Sequence, residues 1–171
     1  AILVFLMQAG FMCLEAGCTR NKNNINTALK NICDFGICML AFWACGYGLM
    51  FGNSLSGFVG TSDFLFLSKS PQAGAWFIFQ AGFCGAAITI VSGAVAERLK
   101  FSMYLVISVV GAISLYPLVG HWIWNDSGWL SQLGFIDFAG STIVHSVGVW
   151  IALSSVLILG PIVGKYSEAN K

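Results

Sequence analysis

Asp137, Ser141 and His145 are the residues whose types and spacing best suit chemistry on a substrate. They are four residues apart, so on a helix they would climb one face in successive turns. Asp137 opens an apolar segment, and His145 lies in the middle of it. Ionisable side chains inside an apolar segment are expensive to keep and often mark a path for ions or protons. We therefore expect a carboxylate at the mouth of a helix and an imidazole deeper within it.

Both side chains also have a purely structural interpretation. The carboxylate of Asp137 can accept hydrogen bonds from the free backbone N–H groups of a first helical turn. A neutral imidazole at His145 can donate to a carbonyl of a neighbouring helix, whereas a protonatable one can carry a proton, since imidazoles titrate near neutral pH. His121 is adjacent to Trp122 and near Trp124, so we expect it to lie among aromatic rings at a membrane interface.

The composition predicts a membrane environment for these segments. Of the 171 residues, 57% are hydrophobic and 9% are charged, with a mean hydropathy of +0.82, whereas soluble domains carry about 25% charged residues. A net charge of +1 gives no argument for a nucleic-acid partner. The six cysteines fall in or beside apolar segments without metal-ligand spacing, so we interpret them as packing residues. The sequence predicts an all-α, multi-pass membrane protein.

Five apolar segments are candidates for membrane spans, each of which needs roughly 20 residues. Polar or glycine-rich stretches separate them. Seven of the eight Lys and Arg residues follow the first, third and fifth segments, and only Lys69 lies in another loop. The positive-inside rule then predicts an outer N-terminus and a cytoplasmic C-terminus in a cell membrane. The predicted spans are residues 1–18, 30–52, 74–96, 101–124 and 138–164.

Three further acidic residues are expected to have structural partners. Glu15 and Asp34 lie in or near apolar segments, where they can pair with a cation or with backbone. Glu97 is followed by Arg98 in a charged turn, and we expect a solvated pair at a helix end. The cations nearest to Glu15 and Asp34 along the chain are Arg20, Lys22 and Lys30.

Aromatic residues at helical spacing form a possible cation site. Trp76, Phe79 and Phe83 lie on one helical face, which more often packs than binds. Aromatic faces can nevertheless hold a cation without a formal negative charge. The predicted topology places Phe83 and Trp124 in the outer half of the bilayer, on the same side as Asp137. An outer aromatic cation site above a buried histidine is therefore expected.

Several separate motifs, in the same order, resemble those of the ammonium transporter/Rh family. Residues 137–145 (DFAGSTIVH) are similar to its fifth-helix signature. Residues 79–83 (FQAGF) and 93–98 (GAVAER) resemble its third helix and the turn that follows. Residues 46–52 (GYGLMFG) resemble the end of its second helix, and residues 20–23 (RNKN) its first inner loop. The resemblance extends over nearly the whole chain.

The resemblance implies an eleven-helix fold of two inverted five-helix repeats and a last helix, of which this chain is the first repeat. It implies a homotrimer with one pore per subunit, and a path between the repeats. Ammonium would be captured outside and deprotonated, and ammonia would pass through a hydrophobic pore. A cytoplasmic nitrogen regulatory protein would be a further partner.

The resemblance also assigns roles to individual residues. Trp124 and Phe83 match the tryptophan of the outer ammonium site and the first phenylalanine of its gate. Asp137 matches the aspartate that shapes the site, through the carbonyl of Ala139. His145 matches the first of two pore histidines, and Phe79 would line the same pore.

Two alternatives remain open at this stage. Glu15-Ala-Gly and Thr19-Arg resemble a subset of the family in which the domain is fused to signalling domains, which favours an ammonium sensor. A haem protein with His121 and His145 as axial ligands is disfavoured by their different depths. The sequence has no nucleophile–base pair, phosphate loop or metal-ligand cluster, so we expect neither an enzyme nor a cofactor.

Overall fold

The computed structural model describes residues 1–162, which form a bundle of apolar helices. Four helices are long and apolar enough to cross a membrane, and Ile2–Cys18 is a shorter apolar helix. A short antiparallel hairpin pairs β1 (Ser54–Leu55) with β2 (Val59–Gly60), each two residues long. This hairpin was not predicted from the sequence. The helices are α1 (Ile2–Cys18), α2 (Asn21–Phe51), α3 (Pro71–Ala94), α4 (101–124), the one-turn α5 (Trp129–Gln132) and α6 (Ser141–Leu159).

Two helices begin earlier than the hydropathy predicted. α2 starts with a 3₁₀ turn at Asn21 and not near residue 30, since polar side chains in its first turns find partners. One of them is Asn31, whose Nδ2 donates to Glu15 Oε2 at 2.8 Å. α3 starts at Pro71 and not at 74, because Ser70 Oγ accepts a hydrogen bond from the Ala73 N–H at 3.2 Å and caps the helix.

α6 begins later than predicted, at Ser141 and not at 138. Gly140 has a φ of +86°, a left-handed conformation that stops the helix from extending backward. Asp137 therefore precedes the helix, and the expectation that Asp137, Ser141 and His145 climb one helical face is wrong. The predicted end of this span, with Lys165 and Lys171, lies outside the described residues.

Polar contacts define two opposite ends of the bundle. At one end, Glu97 accepts hydrogen bonds from the Arg20 backbone N–H at 2.8 Å and from Arg20 Nε at 2.9 Å. Arg98 Nη1 donates to the Gly160 carbonyl at 2.7 Å, so Arg20 and Arg98 lie at the same end of the bundle as the C-terminal end of α6. The expected Glu97–Arg98 pair is wrong, because each side chain has another partner.

The other end joins the hairpin to the end of α4. The Trp122 Nε1–H donates to the Phe58 carbonyl at 2.8 Å, and the Trp129 N–H donates to the Gly57 carbonyl at 3.0 Å. Lys69, the basic residue outside the main group, lies 3.6 Å from Asp63 in the same connection between α2 and α3. Within residues 1–162, Lys69 therefore lies at the opposite end of the bundle from Arg20 and Arg98.

Buried polar groups tie the helices together inside the bundle. Asp34 on α2 is fully buried and accepts a hydrogen bond from the Tyr104 hydroxyl of α4. Lys30 Nζ donates to the Leu99 carbonyl at 3.0 Å and lies 5.8 Å from the centre of the Tyr104 ring. Neither Glu15 nor Asp34 forms a salt bridge with a described cation, so the cation alternative of the two expected kinds of partner is not formed. The side chains that hydrogen-bond with these carboxyls are neutral, and Asp34 Oδ1 has no partner among the described residues.

Close helix contact places the middle of α4 against α2. A Cβ added to Gly46 would lie 2.6 Å from the Ala112 carbonyl oxygen, so only glycine permits this approach. Both helices are locally π-helical there, at Phe42–Gly46 and Gly111–Leu115. A third π segment, Ser141–Ser146, opens α6. Such segments are frequent near functional sites.

Candidate cation site

An open cavity of about 360 Å³ lies between α3, the end of α4 and the segment before α6. Its walls are mostly aromatic, with one amide side chain. Four of the residues expected at the outer site or in the pore contribute to it: Phe79, Phe83, Trp124 and Ala139. Two other contributors outside the aromatic stripe of α3, Gln80 and Phe138, were not among the predicted site residues.

The aromatic rings form a continuous series along the cavity. Ring centroids are 5.8 Å apart for Trp76 and Phe79, 4.7 Å for Phe79 and Phe83, and 6.0 Å for Phe83 and Trp124. The first three lie on one face of α3 because they are three and four residues apart. Aromatic faces carry partial negative charge, so the cavity suits a small cation.

Asp137 organises the backbone beside this cavity. Its Oδ1 accepts hydrogen bonds from the N–H groups of Gly140 and Ser141, at 2.7 and 2.9 Å. Its Oδ2 accepts from those of Thr142 and Ile143, at 2.8 and 2.9 Å. This is the capping geometry of the structural interpretation, at the positive end of the α6 dipole.

The four bonds also fix the charge of Asp137. A carboxylate offers about four lone-pair positions, and backbone donors fill all of them here. Burial of the carboxyl raises its pKa, but the hydrogen bonds from Ile143, Thr142, Gly140 and Ser141 outweigh this and hold the pKa below its ordinary value of 3.8. Asp137 therefore remains ionised at neutral pH and has no free acceptor for a ligand.

Trp124 is anchored to the same segment. Its Nε1–H donates to the Asp137 backbone carbonyl at 2.6 Å, so the indole N–H is occupied and the ring contributes its surface to the cavity. A Cβ added to Gly140 would lie 2.6 Å from Val144 Cγ2 and 3.5 Å from Trp124 Cη2. Glycine at 140 thus permits both the left-handed turn and the close contact with Val144.

His121 supports the end of α4 from within the protein. The side chain is fully buried, with Nδ1 2.8 Å from the Met50 carbonyl and Nε2 2.8 Å from Ser54 Oγ. A carbonyl only accepts, so this network assigns the proton to Nδ1 and makes Nε2 the acceptor. Both ring nitrogens are used, which leaves none for a haem iron.

His145 lies apart from the cavity lining. Its backbone N–H donates to the Gly140 carbonyl at 3.0 Å within the π segment, and its side chain is exposed on α6. No described residue hydrogen-bonds with its imidazole, so the donation to a neighbouring helix carbonyl is not formed within residues 1–162. The structure joins Phe83, Trp124, Asp137 and Ala139 at one place. It places His145 about one turn into α6.

Comparison with known proteins agrees with this architecture. The model of the Ammonium Transporter Family matches residues 1–171. A putative ammonium transporter of Synechocystis sp. is 51% identical over 99% of this chain, and the ammonium transporter Amt2 of Archaeoglobus fulgidus is 46% identical over 98%. The chain spans only 33% and 38% of the length of these two relatives.

Solved structures give the same result for the fold. A protein described as a Sensor Amt Protein superposes with a TM-score of 0.93 at 39% identity, covering 99% of this chain and 44% of its own. Mep2 of Saccharomyces cerevisiae superposes with a TM-score of 0.82 at 26% identity, covering 92% of this chain and 37% of its own. The predicted multi-helix membrane fold is confirmed.

Proposed function

Because this chain belongs to the ammonium transporter family, we propose that it supplies the outer ammonium site and one wall of the conducting path of an ammonium transporter. The observation that carries the proposal is the aromatic cavity beside the ionised, fully hydrogen-bonded Asp137. Ammonium would be held at the aromatic faces and would then split into ammonia and a proton, which the imidazole of His145 would take up and relay. Ammonia would then cross, because a neutral molecule avoids the cost of a bare cation at membrane depth.

Each residue has a defined role in this proposal. Phe83 and Trp124 hold the cation by their ring faces, 6.0 Å apart. Asp137 fixes the start of α6 and with it the carbonyl of Ala139, and its charge favours a cation nearby. Phe79 and His145 line the path, with Phe79 one turn of α3 nearer the outside than Phe83 and His145 within α6. The exposed His145 would face a pore that the other parts of the longer, full-length protein complete.

The membrane orientation and the assembly are part of the same proposal. The basic end of the bundle, with Arg20 and Arg98, would face the cytoplasm, and the hairpin end would face outside. The N-terminus would then be outside and the C-terminus cytoplasmic. The protein would assemble as a homotrimer and bind a nitrogen regulatory protein on its cytoplasmic face. No catalytic turnover of a substrate is proposed.

A second candidate function is ammonium sensing. It is favoured by the TM-score of 0.93 to the Sensor Amt Protein, at 39% identity. In a sensor, the same cavity would bind ammonium and the bundle would report occupancy to a signalling module, with little conduction. Both functions use the same outer site.

An ammonium jump on a solid-supported membrane tests the proposal. The full-length protein is reconstituted in liposomes, and a transient current is recorded after a switch from sodium to ammonium. We expect a current in the wild type that is lost in Asp137→Ala, whereas Asp126→Ala, an exposed aspartate, retains it. Ammonium binding without a current would favour the sensor. Neither binding nor current would contradict both functions.

A further inference from the structure

Gln80 is the polar side chain in the aromatic cavity. It lies on α3 next to Phe79, four residues after Trp76 and three before Phe83, so it shares their helical face. Its exposed fraction is only 2%, and it lines the cavity together with these rings. Its Oε1 is buried and accepts no hydrogen bond from any described residue.

A buried side-chain amide with an unpaired carbonyl lowers the stability of the folded protein. A buried carbonyl that lacks a hydrogen bond loses its hydration without compensation. Unpaired buried polar groups are rare in native proteins and need a specific explanation. Packing does not supply one, since methionine has a similar shape and no polar group to satisfy. In the orientation shown the oxygen is enclosed and the NH₂ end is not, so a half-turn of the terminal amide would aim the carbonyl at a ligand that donates to it.

The rest of the cavity increases the need for such an acceptor. The oxygens of Asp137 are filled by backbone donors, and the Trp124 N–H is itself a donor that points to the Asp137 carbonyl. Ring faces attract a cation but offer no lone pair along an N–H direction. Ammonium carries four N–H donors, so ring faces and the single carbonyl of Ala139 would leave it poorly hydrogen-bonded once dehydrated.

We propose that Gln80 is a ligand of the outer site, and that its side-chain carbonyl accepts an N–H of ammonium. This inference rests on the proposed function, because it assigns a further residue to the same site. With the Gln80 carbonyl as a ligand, the outer site would select its cation by hydrogen bonding as well as by charge. A site that is built to hydrogen-bond its ligand strongly disfavours a ligand that cannot donate.

The test compares two substitutions at Gln80 in the full-length protein, using the ammonium jump. Gln80→Met keeps the shape and removes the acceptor, so we expect the half-saturating ammonium concentration to rise roughly tenfold or more, as for a lost hydrogen bond to a charged group. Gln80→Glu keeps an acceptor oxygen in either protonation state, so its half-saturation should equal the wild-type value or fall below it. Gln72→Met, an exposed position on α3, is the matched control and should not change half-saturation.

Each outcome decides the inference. Unchanged half-saturation in Gln80→Met, with a normal wild-type current, would overturn the role of Gln80 and leave the proposed function intact. A large rise in Gln80→Glu would also overturn it, because an acceptor would then be insufficient. Thermal melting of each variant without ammonium detects misfolding, and the Glu variant remains decisive if the Met variant is unstable. A wild type that neither conducts nor binds ammonium would overturn the proposed function together with this inference.

Discussion

The indole of Trp124 donates a 2.6 Å hydrogen bond to the backbone carbonyl of Asp137, thirteen residues later in the sequence. This bond connects the end of α4 to the segment that starts α6. The carboxylate of the same aspartate holds that segment through four backbone N–H groups. The aromatic wall and the capped helix are therefore one unit, and loss of either contact should disturb the cavity.

Trp124→Phe tests the link between these two elements. The substitution keeps an aromatic face and removes the N–H donor, so the ring loses its tether to Asp137. A net hydrogen bond contributes about 0.5–1.5 kcal/mol, so we expect half-saturation by ammonium to rise by a few-fold to about tenfold. Trp150→Phe, on the exposed side of α6, is the matched control. Equal half-saturation in wild type and Trp124→Phe would show that the tether does not matter.

Asp137→Asn tests the four-bond cap. Asparagine has one acceptor oxygen, and its NH₂ group would face N–H groups that need an acceptor. It also removes the negative charge from the start of α6. We expect a lower melting temperature and a current reduced at least roughly tenfold, by analogy with other charged hydrogen bonds. Asp126→Asn should leave both quantities unchanged, and a wild-type current in Asp137→Asn would reject the role of the charge.

The sequence predicted the parts of this site that depend on helix periodicity and on motif. The stripe of Trp76, Phe79 and Phe83 follows from their spacing, and the motif of residues 137–145 placed Asp137 beside Trp124. The exact start of α6 depends on the left-handed turn at Gly140, which hydropathy does not detect. A glycine followed by serine and threonine was the local signal for that break.

The surroundings of two other residues depend on contacts between segments that are distant in the sequence. His121 is buried because the hairpin and the end of α2 fold over it, and its neighbours in the sequence suggested an interface. Gln80 has no distinguishing sequence pattern, because one glutamine in an aromatic stripe is also compatible with packing or exposure. Its unpaired oxygen is visible only once the cavity is assembled.

His145→Glu tests whether the exposed imidazole of α6 lines the conducting path. A carboxyl at this position changes the polarity of a pore, so we expect a changed ratio of ammonium to methylammonium current. His145→Gln separates charge from hydrogen bonding, since it is polar and neutral. Currents and selectivity equal to wild type in both variants would make His145 a residue outside the path.

A pair of buried tyrosines tests which polar contacts stabilise the bundle. The Tyr104 hydroxyl donates to the buried Asp34, whereas the hydroxyl of the equally buried Tyr116 has no partner among the described residues. Tyr104→Phe should destabilise the protein by about 1–2 kcal/mol, which would appear as a lower melting temperature in detergent. Tyr116→Phe should be neutral or stabilising, because it removes an unsatisfied hydroxyl. The same decrease in both variants would contradict this assignment.

We expect the contact of Glu97 with Arg20 and Asn23, at the basic end of the bundle, to be sensitive to acid. Its carboxylate accepts from the Asn23 side chain at 2.8 Å and from the Arg20 backbone and side chain. These hydrogen bonds lower the pKa of Glu97 from 4.5 to about 2. A lowered pKa in the folded state means that the contribution to stability is fully present above pH 4.5 and is lost as the pH falls toward 2.

Melting temperatures of wild type and Glu97→Gln measure this contribution, since the other carboxyls titrate in both proteins. We expect the wild type to melt higher by a constant amount above pH 4.5, with the difference shrinking as the pH falls toward 2. Arg20→Gln should show a similar but smaller loss, because the Arg20 backbone N–H and Asn23 still donate to Glu97. A difference that is independent of pH, or that grows in acid, would show that the charge of Glu97 does not stabilise this end of the bundle.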